Sequence, residues 1–444
     1  MKRCAIIGGG ISGLSTAYYL NSKRSDIAID LYEATSRLGG VLRTEKIDDC
    51  IVEAGPDSFL TQKQSAIELC REVGLGDTLI GSNDHRRKTF IYQQGEMRTL
   101  PDGFFLMVPT QLSALIETDL LSWPGKFSAL QDLFSYPAQE DISAGDFLEA
   151  RFGQEILDRI AEPMLAGIYG ADIRRLSLKS GLPQIWELQK SGSLIKRLVS
   201  IRSGTPPSAA SLFTTLRDGM ESLPRAIVAR LPHINWRLNS PVEYVEKLNH
   251  GWKIGADFYD ALIVATSNIP AADRMAIAEL RSVFASVQRN SAVVMAFGFE
   301  RLKKEGFGWL VPAEERHSVL ACTYSSNKFT DRSPEDRLVV RLFIGGKQTE
   351  DWLEREDDDL LKEGFHELKR IGQIDQQPVF SRVFRWQKAM PEYRVGHEAL
   401  LSKIEELRTR ESNFYLTGNL FAGVGIPDCI RHAKSVADTL AKNL

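Results

Sequence analysis

The 444-residue chain is 43% hydrophobic and 25% charged, with a formal net charge of −3. That length exceeds one ordinary core and implies two or three domains of soluble globular composition. A pI near 6.2 gives no electrostatic basis for a nucleic-acid partner. The five cysteines (Cys4, Cys50, Cys70, Cys322, Cys429) are scattered without a CxxC, and the histidines show no ligand spacing. A disulfide framework and a metal centre are therefore not expected.

Met1-Lys2-Arg3 runs directly into Cys4-Ala5-Ile6-Ile7, read as a buried strand. We expect no signal peptide and a cytoplasmic protein. No apolar run approaches the roughly 18 residues of a membrane span. Next comes Gly8-Gly9-Gly10-Ile11-Ser12-Gly13, then a helix over Gly13–Leu20. In such a loop Gly8 permits the tight turn, Gly10 lets backbone approach a pyrophosphate, and Gly13 lets helix and strand pack closely. The helix N-terminus offers N–H groups to phosphate. Strand Ile27–Tyr32 ends at Glu33, placed to accept from adenosine ribose hydroxyls and to repel a 2′-phosphate. Strand, glycines, helix, strand and acid in register mark a dinucleotide site. Arg37 is placed to neutralise pyrophosphate charge, and Gly39-Gly40 lets backbone approach the cofactor.

Further along, residues 91–205 carry helical periodicity, as in Ala144–Phe152 and Glu155–Ala166. This segment includes the apolar run Phe104-Phe105-Leu106-Met107-Val108, which is suited to lining a pocket or touching a membrane surface. Ser203–Ala210 reads as a linker. Segment 211–266 resumes an α/β pattern, with a helix near Leu223–Leu231 and strands over Val242–Leu248, Trp252–Ala256 and Ala261–Ala265. Residues 267–377 alternate like antiparallel strands over Ala292–Phe299, Val319–Tyr324 and Leu338–Ile344, then form helix Asp357–Ile371. The C-terminal segment 378–444 ends in strand Phe414–Thr417, the turn Gly418-Asn419-Leu420-Phe421-Ala422-Gly423-Val424-Gly425-Ile426 and helix Asp428–Leu440. The expected architecture is α/β with α+β inserts. Segments 1–90, 211–266 and 378–444 make a discontinuous Rossmann-type nucleotide domain. Residues 91–205 form a helical insert, and 267–377 a substrate-binding domain.

The segment Glu33-Ala34-Thr35-Ser36-Arg37-Leu38-Gly39-Gly40 resembles the extended FAD motif of the amine-oxidase and porphyrinogen-oxidase superfamily. The Gly-rich C-terminal turn resembles the family segment whose amides reach the flavin and ribityl chain, with Asn419 where many FAD enzymes carry Asp. Gly55-Pro56-Asp57-Ser58-Phe59-Leu60-Thr61-Gln62-Lys63 resembles a porphyrinogen-oxidase motif. So do Pro163-Met164-Leu165-Ala166-Gly167-Ile168-Tyr169-Gly170-Ala171-Asp172, Gly306–Pro312, Ala321–Phe329 and Arg385–Pro391, in order along the chain.

The resemblance implies a flavin-dependent, oxygen-using porphyrinogen oxidase of haem biosynthesis. Its FAD takes a hydride from a meso carbon of a reduced tetrapyrrole, protons leave pyrrole nitrogens, and oxygen is reduced to hydrogen peroxide. No nucleophile or obligatory side-chain base is implied, so no catalytic residue is nominated. The implied cofactor residues are Gly8 to Gly13 (with Ile11 and Ser12), Glu33, Ala34, Arg37, Gly40, Val41, Gly55 to Ser58 (with Pro56 and Asp57), Val242, Trp386, Asn419, Val424, Gly425 and Ile426. Cys429 does not match the segment where amine oxidases attach flavin, so FAD is expected to bind noncovalently. Coproporphyrinogen III, with four propionates, is the expected substrate, because a carboxylate-rich ligand needs cations at its rim. Lys63, Arg98, Arg174 and Lys328 are the candidate cations, with Phe105 in the apolar run beside Arg98. The alternative is protoporphyrinogen IX, with two propionates. An amine oxidase, a desaturase and a noncatalytic carrier on the same scaffold are more distant readings.

Overall fold

The computed structural model describes residues 1–105, 107–204, 211–346 and 349–444. Its nucleotide-binding half is a parallel sheet in the spatial order Asn235–Arg237, Ile27–Tyr32, Lys2–Ile7, Ala261–Val264, Phe414–Leu416. Numbered along the chain this is 3-2-1-4-5, a doubly wound order that opens a crevice at the carboxyl end of the first strand. Both faces are covered, and the period of two in each strand sorts side chains between them. Cys4 and Ile6, Ile29 and Leu31, and Ala261 and Ile263 face helices Ile11–Lys23, Ser65–Glu72, Ser222–Ala229 and Ile426–Asn443. Ala5, Ile7, Leu262, Val264, Phe414 and Leu416 face helices Met275–Ser286 and His397–Thr409 and the small sheet 246–259.

The second half is a seven-stranded sheet ordered Phe380–Pro391, Arg289–Glu300, Arg337–Gly345, Ala321–Tyr324, Gly308–Leu310, Thr89–Gln93, Glu96–Thr99. Val293, Met295, Phe297 and Phe299 pack under helix Asp357–Arg370. The alternate residues Val294 and Ala296 pack on Cys50, Val52 and Ala54 of the nucleotide half. This sheet moves two expected boundaries. Hairpin 89–99 joins it through parallel pairing of Thr89–Ile91 with Gly308–Leu310, which nothing local in sequence encodes. Its turn, Gln94-Gly95, has positive φ at both residues, as a two-residue hairpin requires. Strand Phe380–Pro391 pairs along Arg289–Gly298, so the start of segment 378–444 is an edge strand of this sheet rather than part of the nucleotide domain.

The helical insert has its own core, including Leu148, Phe152, Ile156, Ile160 and Leu165. The helix expected over Glu155–Ala166 is broken into Gln154–Ile156, a π turn over Leu157–Ala161, and Glu162–Tyr169. Pro163 has no N–H for the carbonyl four residues back, and the wider turn accommodates that loss. Expected strand Val242–Leu248 shortens to Glu246–Leu248, leaving Val242 outside the strand but packed at the core edge. Residues 205–210 of the expected linker, and Leu106 of the apolar run, lie outside the described residues.

Candidate functional site

The crevice above the first strand is built of backbone. Gly8, at φ +111°, turns the chain out of the strand, where a side chain would also strike Thr266 and the Ala265 carbonyl. A Cβ on Gly13 would lie 1.9 Å from the Gly8 oxygen, so helix and turn touch there. Gly10 differs from both. Its φ of −74° suits any residue, and a Cβ there would meet nothing within 4 Å. The open face of Gly10 is the cradle itself. No side chain caps helix Ile11–Lys23 at Gly10, so it presents bare N–H groups at its start; at the start of helix Ile426–Asn443, Pro427 has no N–H and Asp428 N–H donates to Gly425 O at 3.0 Å. Cys429 Sγ donates to Gly423 O at 3.8 Å, holding the second helix start to its turn.

The neighbouring loops close around the same space. Gly39 N–H donates to Gly9 O at 2.7 Å, and a Cβ on Gly40 would sit 3.1 Å from Gly10 Cα. Glu33 accepts from Gly9 N–H at 2.8 Å, from Thr35 N–H at 2.9 Å and from the Thr35 hydroxyl at 2.8 Å. Its carboxylate is therefore already aimed at the Gly9–Gly10 edge, with Ala34 exposed beside it. Arg37 does not project freely as the sequence suggested. Its guanidinium donates to the carbonyls of Leu38, Gly40 and Leu42, and burial lowers its pKa. It shapes the loop ending at Val41. Val41 meets Gly55, where a Cβ would lie 2.2 Å from the Val41 oxygen. Trp386 Nε1 donates to Ala54 O at 2.7 Å. On the far side, Asn419 donates to Ala389 O at 3.0 Å while its own carbonyl accepts from the Tyr393 hydroxyl. The Asn419 amide is thus committed to the adjoining strand. Gly423, Val424, Gly425 and Ile426 complete the wall.

This backbone-lined space fits a dinucleotide. Open glycines, the uncapped start of helix Ile11–Lys23 and one fixed carboxylate supply what a pyrophosphate and a ribose require.

The four candidate cations are not gathered at one place. Lys63 Nζ lies 2.5 Å from Asp428 Oδ2, beside the Gly423–Gly425 turn. Lys328 Nζ lies 2.9 Å from Asp57 Oδ1, with side chains on both sides only 13% exposed. Arg98 donates to Asp119 O at 2.6 Å on the outer hairpin, close to where Phe105 pairs with Val108. Arg174 pairs with Glu149 at 2.7 Å and Asp146 at 3.3 Å on the outside of the helical insert. The acidic neighbours of Arg98, Arg174 and Lys328, far away or unremarkable in sequence, already occupy them.

Sequence reading missed the charged layer beneath Gly55–Ser58. Glu53 accepts from Arg332 at 2.9 Å, from Thr44 at 2.7 Å and from Met220 N–H at 2.9 Å. Burial pushes the Glu53 carboxyl up, against the pull of Arg332. Burial also opposes ionisation of Asp57, yet Lys328 and Arg341 hold its carboxyl well below the usual carboxylate range. The available signal was Arg341 itself, a lone charge inside Leu338-Val339-Val340-Arg341-Leu342-Phe343-Ile344.

Two features lie apart from this site. A groove of about 890 Å³ is lined by His85, Arg86, Lys88, Lys303, Lys304 and Arg337, among others, and does not reach the glycine loops. Among the described residues, Glu363, His366 and Glu367 bring ligand atoms within 4.8 Å of one another, but Arg370 already holds Glu367 through both oxygens.

Comparison with known proteins agrees with this geometry. The family model for flavin-containing amine oxidoreductases matches residues 11–441. Coproporphyrinogen III oxidase of Bacillus subtilis (strain 168) is 32% identical, over 99% of this chain and 98% of its own. Protoporphyrinogen oxidase 2 of Arabidopsis thaliana is 25% identical, over 100% and 94%. A solved structure from Exiguobacterium sp. 255-15 superposes with a TM-score of 0.89 at 27% identity, covering 100% of this chain and 99% of that one.

Proposed function

The chain belongs to the flavin-containing amine oxidoreductases, an FAD-dependent oxidoreductase, and from that premise we propose that it oxidises coproporphyrinogen III to coproporphyrin III with molecular oxygen as acceptor. The observation that carries this reading is the end-to-end match to a protein named coproporphyrinogen III oxidase at 32% identity. The Arabidopsis match keeps protoporphyrinogen IX as the second reading.

In this proposal the N–H groups of Gly10–Gly13 take the pyrophosphate, Glu33 the adenosine ribose, and the loops at Val41, Gly55–Ser58 and Asn419–Ile426 the flavin half. FAD supplies the two-electron acceptor. The chain binds, orients and excludes, because aromaticity of the product supplies much of the driving force. Attachment is noncovalent: Cys429 is buried, and burial pushes its thiol up to about 11, far from a reactive thiolate. Lys63, whose side chain stays 40% exposed while paired to Asp428, is the proposed partner for a substrate carboxylate.

We place the protein in the cytoplasm, where its five buried, free cysteines suit a reducing compartment. No helix among the described residues is long and apolar enough to cross a membrane. The insert nevertheless exposes Trp123 (61%), Phe127 (69%), Phe134 (83%) and Tyr136 (87%). Such a patch supports peripheral membrane contact.

The test is porphyrin fluorescence from coproporphyrinogen III and protoporphyrinogen IX side by side, with peroxide measured in parallel. A higher kcat/KM for coproporphyrinogen is expected. Preference for protoporphyrinogen selects the second reading, and no porphyrin from either overturns both.

A further inference from the structure

The Gly55–Ser58 loop rests on a layer of five charges, three buried and two part-buried, and the charges do not cancel. Arg332 and Arg341 are each 1% exposed and Glu53 is 3% exposed. Three cations, Lys328, Arg332 and Arg341, face two carboxylates, Glu53 and Asp57. Arg341 carries the loop directly. One of its terminal nitrogens donates to the Gly55 carbonyl, the other lies 3.2 Å from Asp57 Oδ2, and its buried Nε has no partner. From the opposite side Val41 touches Gly55, so this peptide is clamped between the Val41 loop and Arg341. Pro56, next in the chain, is exposed, which leaves that side of the loop open.

A surplus cation is costly in a protein interior unless something negative compensates it. Glu53 and Asp57 are each engaged already, and the Nε donor remains unused. Flavin reduction adds negative charge to the ring system. A fixed cation in a low-dielectric setting stabilises that charge without having to reorganise.

We propose that Arg341 is a positioning residue for the flavin: it pins the Gly55 loop, and the surplus positive charge it brings favours reduced over oxidised FAD. The inference rests on the reading that this loop borders the flavin half of the cofactor. It does not depend on which porphyrinogen is oxidised.

The experiment is a reductive titration of the holoenzyme against a reference dye, with no porphyrinogen present, so failure of the substrate assignment leaves it untouched. Arg341→Met is expected to disfavour flavin reduction at least tenfold, which is about 30 mV for a two-electron couple. Arg341→Lys should recover most of that shift. The opposite perturbation comes from Asp57→Asn, which enlarges the surplus and should raise the potential. Should Arg341→Met fail to hold FAD, Lys328→Met takes its place, with the same downward shift expected. A structural defect alone has no reason to give opposite signs for removal of a cation and removal of an anion. Potentials within twofold of the parent equilibrium, or shifts of one sign in both kinds of variant, overturn the proposal.

Discussion

Glu33→Gln is the sharper test of the dinucleotide site, because it removes one charge and almost no volume. The carboxylate offers about four lone-pair positions. Three are filled by Gly9 N–H, Thr35 N–H and the Thr35 hydroxyl. One remains, so the structure has room for one ribose hydroxyl where the sequence suggested two. A charge-assisted bond of this kind contributes about 1.5–3 kcal/mol, or roughly 10- to 150-fold in affinity at 1.4 kcal/mol per decade. Glu33→Ala is expected to weaken FAD by that amount. Glutamine is expected to do nearly as badly. Whichever way its amide is turned, the NH2 group meets a backbone N–H, either Gly9 or Thr35. The Thr35 hydroxyl can rotate to adapt, but the peptide donors cannot. The assay is titration of apoprotein with FAD, followed by quenching of flavin fluorescence, with circular dichroism as the control for folding. An FAD affinity for Glu33→Gln within threefold of the parent refutes the reasoning. It would mean that the carboxylate does not use its charge, or does not face the ribose.

Two glycines in the same loop should part company. Gly10→Ala is expected to leave the melting temperature of the apoprotein unchanged while weakening FAD at least about tenfold, since its Cβ enters only the cradle. Gly13→Ala should instead fail to yield folded protein, because its Cβ would overlap the Gly8 oxygen. Lys63→Ala should lower kcat/KM for coproporphyrinogen III by about 1–3 kcal/mol and less for protoporphyrinogen IX, with FAD content constant. Equal losses together with lost FAD would assign Lys63 to the Asp428 turn instead. His432 is held down to about 4 by burial, beside Arg431, and stacks on Phe421. Its stabilising contribution is complete above the ordinary histidine pKa and declines as pH falls from about 6.5 toward 4, by about 3 kcal/mol in full. Urea unfolding across that range should show the decline, and His432→Gln should flatten it. Trp123→Ser with Phe127→Ser should reduce binding to anionic vesicles without altering porphyrin formation in solution, and unchanged binding removes the insert from any membrane contact.

The nucleotide half was legible because its information is local. Gly8, Gly10, Gly13 and Glu33 lie within one strand–helix–strand unit, and each is needed for a conformation or a charge within a few residues of itself. The parallel strands showed as apolar runs because both faces of the sheet are covered. The other half was readable as antiparallel strands, but its limits were not. Hairpin 89–99 belongs to a sheet whose strand paired with it begins at Gly308, more than two hundred residues later. The short run Thr89–Gln93 carries no mark of what it packs against. The boundary drawn at 378 is only the entry from helix Asp357–Arg370 to an edge strand.

The charges were the least legible part, for a related reason. An ion pair has no periodicity, and a lysine in a motif carries no mark of its partner. Lys328 and Asp57 lie 271 positions apart and close only when the two halves dock, while Lys63 and Asp428 lie 365 apart and close within the nucleotide half, between its first and last segments. That spacing bears on function. A cation already held by a buried carboxylate keeps its place, but its attraction for a further anion is reduced by the charge it has neutralised. Lys328 is held in this way and also sits over the rings of Phe213 and Phe329. Its motif position therefore reflects the Gly55–Ser58 loop more directly than a propionate. Lys63 is different, because its amine stays partly exposed and can bridge Asp428 to a second carboxylate through its remaining donors. A site that discriminates by the number of propionates then has one fixed cation at the Gly423–Gly425 turn. Lys328→Met should accordingly change kcat/KM for the two porphyrinogens by the same factor, whereas Lys63→Ala should separate them. The reverse pattern would return Lys328 to the substrate and remove Lys63 from it.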